Sequence, residues 1–371
     1  MSVKFASSFK KYLVPALVFQ GVLIGGGYAT GREIVEYFMQ YGPLGGILGM
    51  FGITLGIWML VLALTFEFSR KFRTFDYRSL LKNLLGPFWI IFEIFFVLIL
   101  VIILAVIGSA AGVLLRDFFG FPYLLGVGIM LASVGYLTFK GSNVIAKFLS
   151  FWSIFIYIVY AAFMIIALIK FGPMIRENLS GALVLPKWAL GGFKYGLYNM
   201  TVIPAVLFCI RDIQTRKEAL TSGVIAAFVG LLPAFLFYIA ILGQYPEIIS
   251  QEIPAVYVIQ KTGMPFLLVV FLIMLVGTLI ETGTGLIHAV NERVQSALQA
   301  KGKRLHDWQR PVIAALMLLL SLSLSTFGII DLIAKGYSLM SWGIFIIYFV
   351  PLLTLGLYKI LKKQPAVKNI E

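Results

Sequence analysis

The stretch Ile24-Gly25-Gly26-Gly27-Tyr28-Ala29-Thr30-Gly31-Arg32-Glu33 interrupts the first hydrophobic run of the chain. It lies between an apolar segment at 12–23 and a second helical piece expected at 33–39. Four of the seven residues 25–31 are glycine. That density argues against a continuous membrane helix and for one that unwinds part-way across. Unwound backbone leaves amides and carbonyls that hydrocarbon cannot satisfy, so such a break persists only where it lines a cavity or is covered by protein. Broken helices near the bilayer midplane are also where secondary transporters hold solutes and coupling ions.

The rest of the chain supports a membrane setting. Hydrophobic residues make up 60% of it and charged residues 12%, with a mean hydropathy of +0.98. These values describe a polytopic membrane protein rather than a soluble domain. A net charge of +14 invites a nucleic-acid partner, but the basic residues flank apolar segments instead of forming a patch. No nucleic-acid partner is expected. The lone Cys209 excludes an internal disulfide and a cysteine metal cluster, and His288 and His306 are too few for a histidine-rich site. The basic N-terminus followed by an apolar run has no small-residue cleavage site and reads as an uncleaved first span.

About twenty apolar residues cross a bilayer core. Ten spans are expected, at 12–39 (broken), 43–69, 87–115, 121–139, 143–170, 188–211, 218–243, 263–291, 310–327 and 338–361, with a short helix at 328–336 before the last. With the N-terminus inside, twenty-two Lys and Arg fall on the cytoplasmic side, seven on the other, and Arg32 within the first span. This bias predicts an even number of spans and both termini in the cytoplasm, in a bacterial inner membrane. The sixth span has its own polar interruption, Leu197-Tyr198-Asn199-Met200-Thr201, followed by Pro204. Paired interruptions in spans one and six predict a single transmembrane domain made of two inverted repeats of five spans, about 12–170 and 188–361. The segment between Tyr245 and Gly263 is the longest expected outer loop and is placed as a cap over the outer entrance.

The two breaks are the candidate solute site. Gly25, Gly26 and Gly27 permit close approach to the backbone, and amides opening the second half-helix suit a carboxylate. Tyr28 is a candidate lid. A small-residue packing stripe is the competing explanation, but three consecutive glycines do not fall on one face. In the sixth span, Tyr198, Asn199 and Thr201 offer hydroxyl and amide groups to the other end of a solute. A Pro204 kink with locally satisfied carbonyls explains that break equally well.

Glu281 is the costliest residue to place, because it sits about three turns inside the eighth span. An ionised carboxylate at that depth must be paired, solvated or protonated. Burial favours the neutral acid of a proton carrier, and a bound cation favours the anion. Thr278, Glu281 and Thr282 fall at i, i+3 and i+4 and share a helical face, giving oxygen ligands of the kind hard cations take. A carboxylate paired with a base elsewhere is the competing account. Glu93, early in the third span, is expected to pair with a basic side chain near the interface. Arg32 and Glu36 are spaced for a local ion pair. Lys147 reads as an interfacial anchor.

The phrase Gly25-Gly26-Gly27-Tyr28-Ala29-Thr30-Gly31-Arg32-Glu33, with breaks in spans one and six, resembles the bacterial YkvI-like membrane proteins. These are placed within the amino acid–polyamine–organocation superfamily, whose members share the LeuT-type fold. The resemblance covers essentially the whole chain. It implies an all-α polytopic protein with its solute site between spans one, three, six and eight, working by alternating access. Matching the sodium-coupled members, Arg32 falls at an outer-gate position. The carbonyls of Val22 and Gly25 would face Glu281 and Thr282 across a sodium ion. The chain departs from that pattern in having Glu33-Ile34 where an aromatic residue and proline usually follow the arginine. Neither the Asp-Pro-Gly-Asn nor the Met-Pro-His break of the divalent-metal branch is present, so metal-ion transport is not expected.

Together these features predict an ion-coupled symporter of a small polar organic solute, an amino acid or related amine. Sodium or protons would be the coupling ion, and no other cofactor or metal is expected. The alternative is a sensor that uses a transporter fold to bind a solute without moving it. No Ser/His/Asp or zinc spacing suggests an enzyme, no repeated filter suggests a channel, and no nucleotide-binding loop is present. The expected partners are the solute and the bilayer, and the sequence names no protein partner.

Overall fold

The computed structural model describes residues 8–139, 142–299, 302–306 and 308–362, and no strand occurs among them. Lys4, Lys140, Lys301, Lys363 and Lys368 of the charge count lie outside the described residues, as does the side chain of Lys147. Six helices are long and apolar enough to cross a membrane: Pro43–Phe72, Tyr77–Phe119, Phe155–Ser180, Arg216–Leu242, Pro265–Gln295 and Gly328–Leu361. Two shorter apolar helices, Tyr123–Thr138 and Gln309–Ser325, join them. The remaining two spans, the first and the sixth, are interrupted as expected.

The segment 328–336 is not a separate helix. It forms the opening turns of the tenth span, which runs unbroken through a wide π turn at Leu332–Tyr337. Lys335 and Gly336 look like punctuation in the sequence, but neither stops a helix whose other residues pack. The Tyr77–Phe119 segment opens with an amphipathic helix, Tyr77–Leu85, which Asp76 caps at the Ser79 N–H (2.9 Å) and which buries Leu80, Leu81 and Leu84 before the apolar helix Trp89–Phe119.

Small residues decide which spans meet. A Cβ on Gly223 would stand 2.5 Å from Ala63 Cα and 2.7 Å from the Leu62 carbonyl carbon, so the seventh span crosses the second backbone to backbone. The second span also holds the sixth, with the Thr54 hydroxyl donating to Gly192 O (2.8 Å) and the Trp58 indole to Gly196 O (2.9 Å). In hydrocarbon such side-chain donors are among the few available to a helix carbonyl.

The connections cluster over the Arg32 end of the first span. The segment between spans seven and eight folds into a short turn, Glu247–Ser250, and a helix, Pro254–Thr262. It lies directly on the first-span break, with Ala255 N–H donating to Thr30 O (3.0 Å). The segment placed as a cap thus packs onto the first-span break.

Candidate functional site

The first span turns twice. Its opening helix, Val14–Leu23, stops at Ile24, and Gly25 is fully extended. A single turn, Gly26–Ala29, follows before Gly31 (φ +80°) redirects the chain into Arg32–Tyr37. Gly31 is required on two counts. Its backbone is left-handed, and a Cβ there would stand 2.7 Å from the Phe237 ring.

The groups freed by these turns find partners. Gly26 N–H donates to Thr282 Oγ1 of the eighth span at 2.9 Å. The Thr30 hydroxyl donates to Gly27 O at 2.7 Å. The sixth span resolves its interruption differently. Its helix, Trp188–Tyr198, tightens into 3-10 turns at Asn199–Ala205 and Leu207–Ile210 rather than unwinding into open chain. Pro204 lacks an N–H and accommodates the tighter turn.

A cavity of about 590 Å³ opens between the two breaks and the third, eighth and tenth spans. Gly25 through Tyr28, Tyr198, Asn199 and Thr201 all line it, as do Val22, Glu281 and Thr282. One end lies at Glu33 and Tyr337 and the other at Arg293 and Tyr77. At the Arg293 end, the guanidinium pairs with Glu93 (3.2 Å) and lies 3.8 Å from the ring centroids of both Tyr77 and Phe96. The Tyr77 hydroxyl donates to the same carboxylate at 3.1 Å. Glu93 is thus paired with a basic side chain, as expected of it.

Two candidates stand off the cavity wall. Thr278 is buried, donates its hydroxyl to Met274 O (2.7 Å) and receives the Trp152 indole N–H (3.3 Å). Shared helical spacing with Glu281 and Thr282 does not carry it into their surface, because the face is wide enough for its near edge to meet the fifth span. Arg32 lies beyond the Glu33 end, almost fully buried, and donates to Ile249 O (2.6 Å), Gln251 O (3.1 Å) and Glu36 Oε2 (2.8 Å). It forms the expected pair with Glu36 and also ties down the overlying segment.

That tie has a measurable consequence. Arg32→Ala removes three hydrogen bonds, one of them to a carboxylate, from a buried seal. The expected cost is on the order of 3 kcal/mol. Amide hydrogen exchange across 247–262 should accelerate well beyond that of the Pro43–Phe72 helix; unchanged protection there would show that Arg32 is not the latch.

The sequence reading gave Glu33 no role. It is 6% exposed, lines the cavity, and accepts a hydrogen bond from the Tyr198 hydroxyl through Oε2. Its Oε1 occupies the space a Gly27 side chain would need. Among the described residues no basic side chain pairs with it. A carboxylate within a hydrophobic span was the available signal.

No family model matches the sequence. The chain is 23% identical over 294 residues to the uncharacterized membrane protein YkvI of Bacillus subtilis, covering 78% of this chain and 82% of that one. Among solved structures, a manganese transporter of Eremococcus coleocola superposes with a TM-score of 0.57 at 15% identity, over 95% of this chain and 80% of the other. A Na+-coupled sialic acid symporter superposes with a TM-score of 0.50 at 12% identity, over 96% and 87%. The fold is that of polytopic helical transporters. Among the described residues no group of three His, Cys, Asp or Glu side chains is placed to hold a metal ion.

Proposed function

We propose that the protein is an ion-coupled secondary transporter of a small polar organic solute, an amino acid or related amine, belonging to the amino acid–polyamine–organocation superfamily. The observation that carries this reading is the 590 Å³ cavity at the meeting of two interrupted spans, lined by polar and charged groups inside an apolar bundle. A hydrophobic core of this size has no reason to keep glycine backbone, tyrosine hydroxyls and a carboxylate around an open volume. A solute pathway does.

In this proposal the halves 12–170 and 188–361 are inverted repeats that rock about the site. Gly25, Gly26, Gly27, Tyr28, Tyr198, Asn199 and Thr201 hold the solute. Val22, Gly25, Glu281 and Thr282 hold the coupling ion, sodium or a proton, and the Gly26–Thr282 bond joins the two sites. Thr278 is not assigned a share, since it does not line the cavity. Arg32 closes the gate on the far side. With both termini in the cytoplasm, the Arg293 end of the cavity faces inward and the Arg32 seal faces outward. The same positive-inside bias supports the bacterial inner membrane.

The test is uptake by purified protein in proteoliposomes, offered pooled labelled amino acids and amines under separate sodium and proton gradients. Accumulation of one solute under one gradient is the expected result. Solute-dependent thermal stabilisation without accumulation under either gradient would replace transport by sensing.

A further inference from the structure

We propose that Glu33 is the receptor for the positive end of the solute, so that the site selects a net organic cation, a protonated amine, over a zwitterion or an anion. The proposal rests on the transporter reading for its biological use, but its binding claim stands on the cavity alone.

The sign of the cavity follows from its groups. The carboxylates lining it are Glu33 and Glu281, and the guanidinium is Arg293. Arg293 sits at the opposite end from Glu33 and is already engaged with Glu93, Tyr77 and Phe96. A solute carboxylate at the Glu33 end would face another carboxyl group with no described base beside it. The glycine break does not rescue it. Of the amides that open the second half-helix, the Gly26 amide is taken by Thr282, and the space against Gly27 holds the Glu33 carboxyl group itself, so an anion at the remaining amides would lie against Glu33. A buried carboxylate lacking a basic partner is costly, and a cationic ligand relieves that cost.

The walls suit an organic cation better than a bare one. Tyr28, Tyr198 and Tyr337 line the same end of the cavity. The Tyr198 and Tyr337 ring centroids are 5.0 Å apart, and a Cβ built on Gly27 would lie 3.0 Å from the Tyr337 hydroxyl. The Tyr28 hydroxyl is buried without a hydrogen-bond partner among the described residues. Ring faces attract ammonium groups, and the alkyl remainder of an amine fits the apolar wall toward Ile103 and Ile99. Tyr198 positions the carboxylate by donating to Oε2, leaving the other oxygen to the ligand.

Three probes on one carbon skeleton separate the charge states: butylammonium, 4-aminobutyrate and butyrate. Binding to the purified full-length protein is read by thermal stabilisation and intrinsic fluorescence titration. Butylammonium is expected to bind, 4-aminobutyrate more weakly, and butyrate not at all. Glu33→Gln should weaken butylammonium by about tenfold or more, the weight of a charge-assisted hydrogen bond, and narrow the preference among the probes. Tyr198→Phe, which removes one hydroxyl and keeps the ring, should weaken it by a few-fold and guards against a Glu33→Gln variant that fails to fold. Equal or tighter binding of 4-aminobutyrate or butyrate to the native protein overturns the proposal. So does the absence of butylammonium binding at millimolar concentration, or its undiminished binding to both variants. Butylammonium binding without uptake of any solute would remove the transport reading and leave this one standing. Gradient-driven uptake of a zwitterion unaffected by Glu33→Gln would do the reverse.

Discussion

Glu281→Gln protein in proteoliposomes is expected to lose its response to the imposed ion gradient while still exchanging solute across the membrane. Glu281 and Thr282 stand side by side on the cavity wall, and Thr282 is bonded to the Gly26 amide at the first-span break. An ion held there touches the backbone whose shape defines the solute site, and this adjacency is what coupling requires. Glutamine keeps the size of the side chain and a carbonyl oxygen but removes the charge. In a partly desolvated wall a unit charge attracts a monovalent cation far more strongly than it does in water. Roughly a hundredfold loss of gradient-driven accumulation is expected, with counterflow exchange of preloaded solute reduced much less. The two assays on one preparation separate coupling from binding, and thermal melting checks the fold. Undiminished accumulation under the native gradient would remove Glu281 from the coupling site.

What could be read from the chain and what could not divide along the range of the interactions. The first break was legible because clustered glycines and a hydrophobic flank are local facts, and local backbone preference decided the outcome at Gly25 and Gly31. The resemblance placed Arg32 at a gate position, but its partners, the carbonyls of Ile249 and Gln251, lie more than two hundred residues away and are not readable from its surroundings in sequence. Glu33 was not legible for the same reason. The local ion pair the spacing offered joins Arg32 to Glu36, and the adjacent side chains part company, Arg32 to the segment 247–262 and Glu33 to Tyr198. Thr278 shows the converse limit. Helical spacing placed it correctly on one face with Glu281, but an i, i+4 face covers more arc than one cavity touches.

The sixth span marks a subtler limit. Asn199, Thr201 and Pro204 signalled an interruption, and one occurs there, yet its geometry is a tightened helix, and the helix leading into it is held at the Gly192 and Gly196 carbonyls by Thr54 and Trp58. Sequence marks where a helix is weakened. The neighbouring spans decide whether it opens or tightens.

The paired glycines at the first break give the sharpest test of the site as a whole. Gly26→Val is expected to abolish solute binding, and Gly25→Ala to leave it nearly intact, although the two positions are adjacent. A Cβ on Gly26 would stand 3.0 Å from Leu279 Cδ2, 3.4 Å from Ile107 Cγ1 and 3.4 Å from Leu279 Cα. The leucine side chain can swing away from one added carbon. The backbone of the eighth span and the third-span side chain cannot also clear the two methyls of valine. Overpacking of this kind costs about 1–3 kcal/mol. Its relief requires the first span to move off the eighth, which breaks the 2.9 Å Gly26–Thr282 bond and adds about 1 kcal/mol. The displaced backbone, Gly25 through Tyr28, is itself cavity wall, so the loss appears in affinity as well as in melting temperature. At Gly25 the chain is extended, and a Cβ would meet only Thr282 Cγ2 at 3.6 Å and Oγ1 at 3.8 Å, ordinary contact distances. Titration of both variants with the solute identified by uptake is the measurement. Native affinity in Gly26→Val would mean that the solute does not lie against the first-span break, and equal losses in both would point to general loosening rather than to a shaped site.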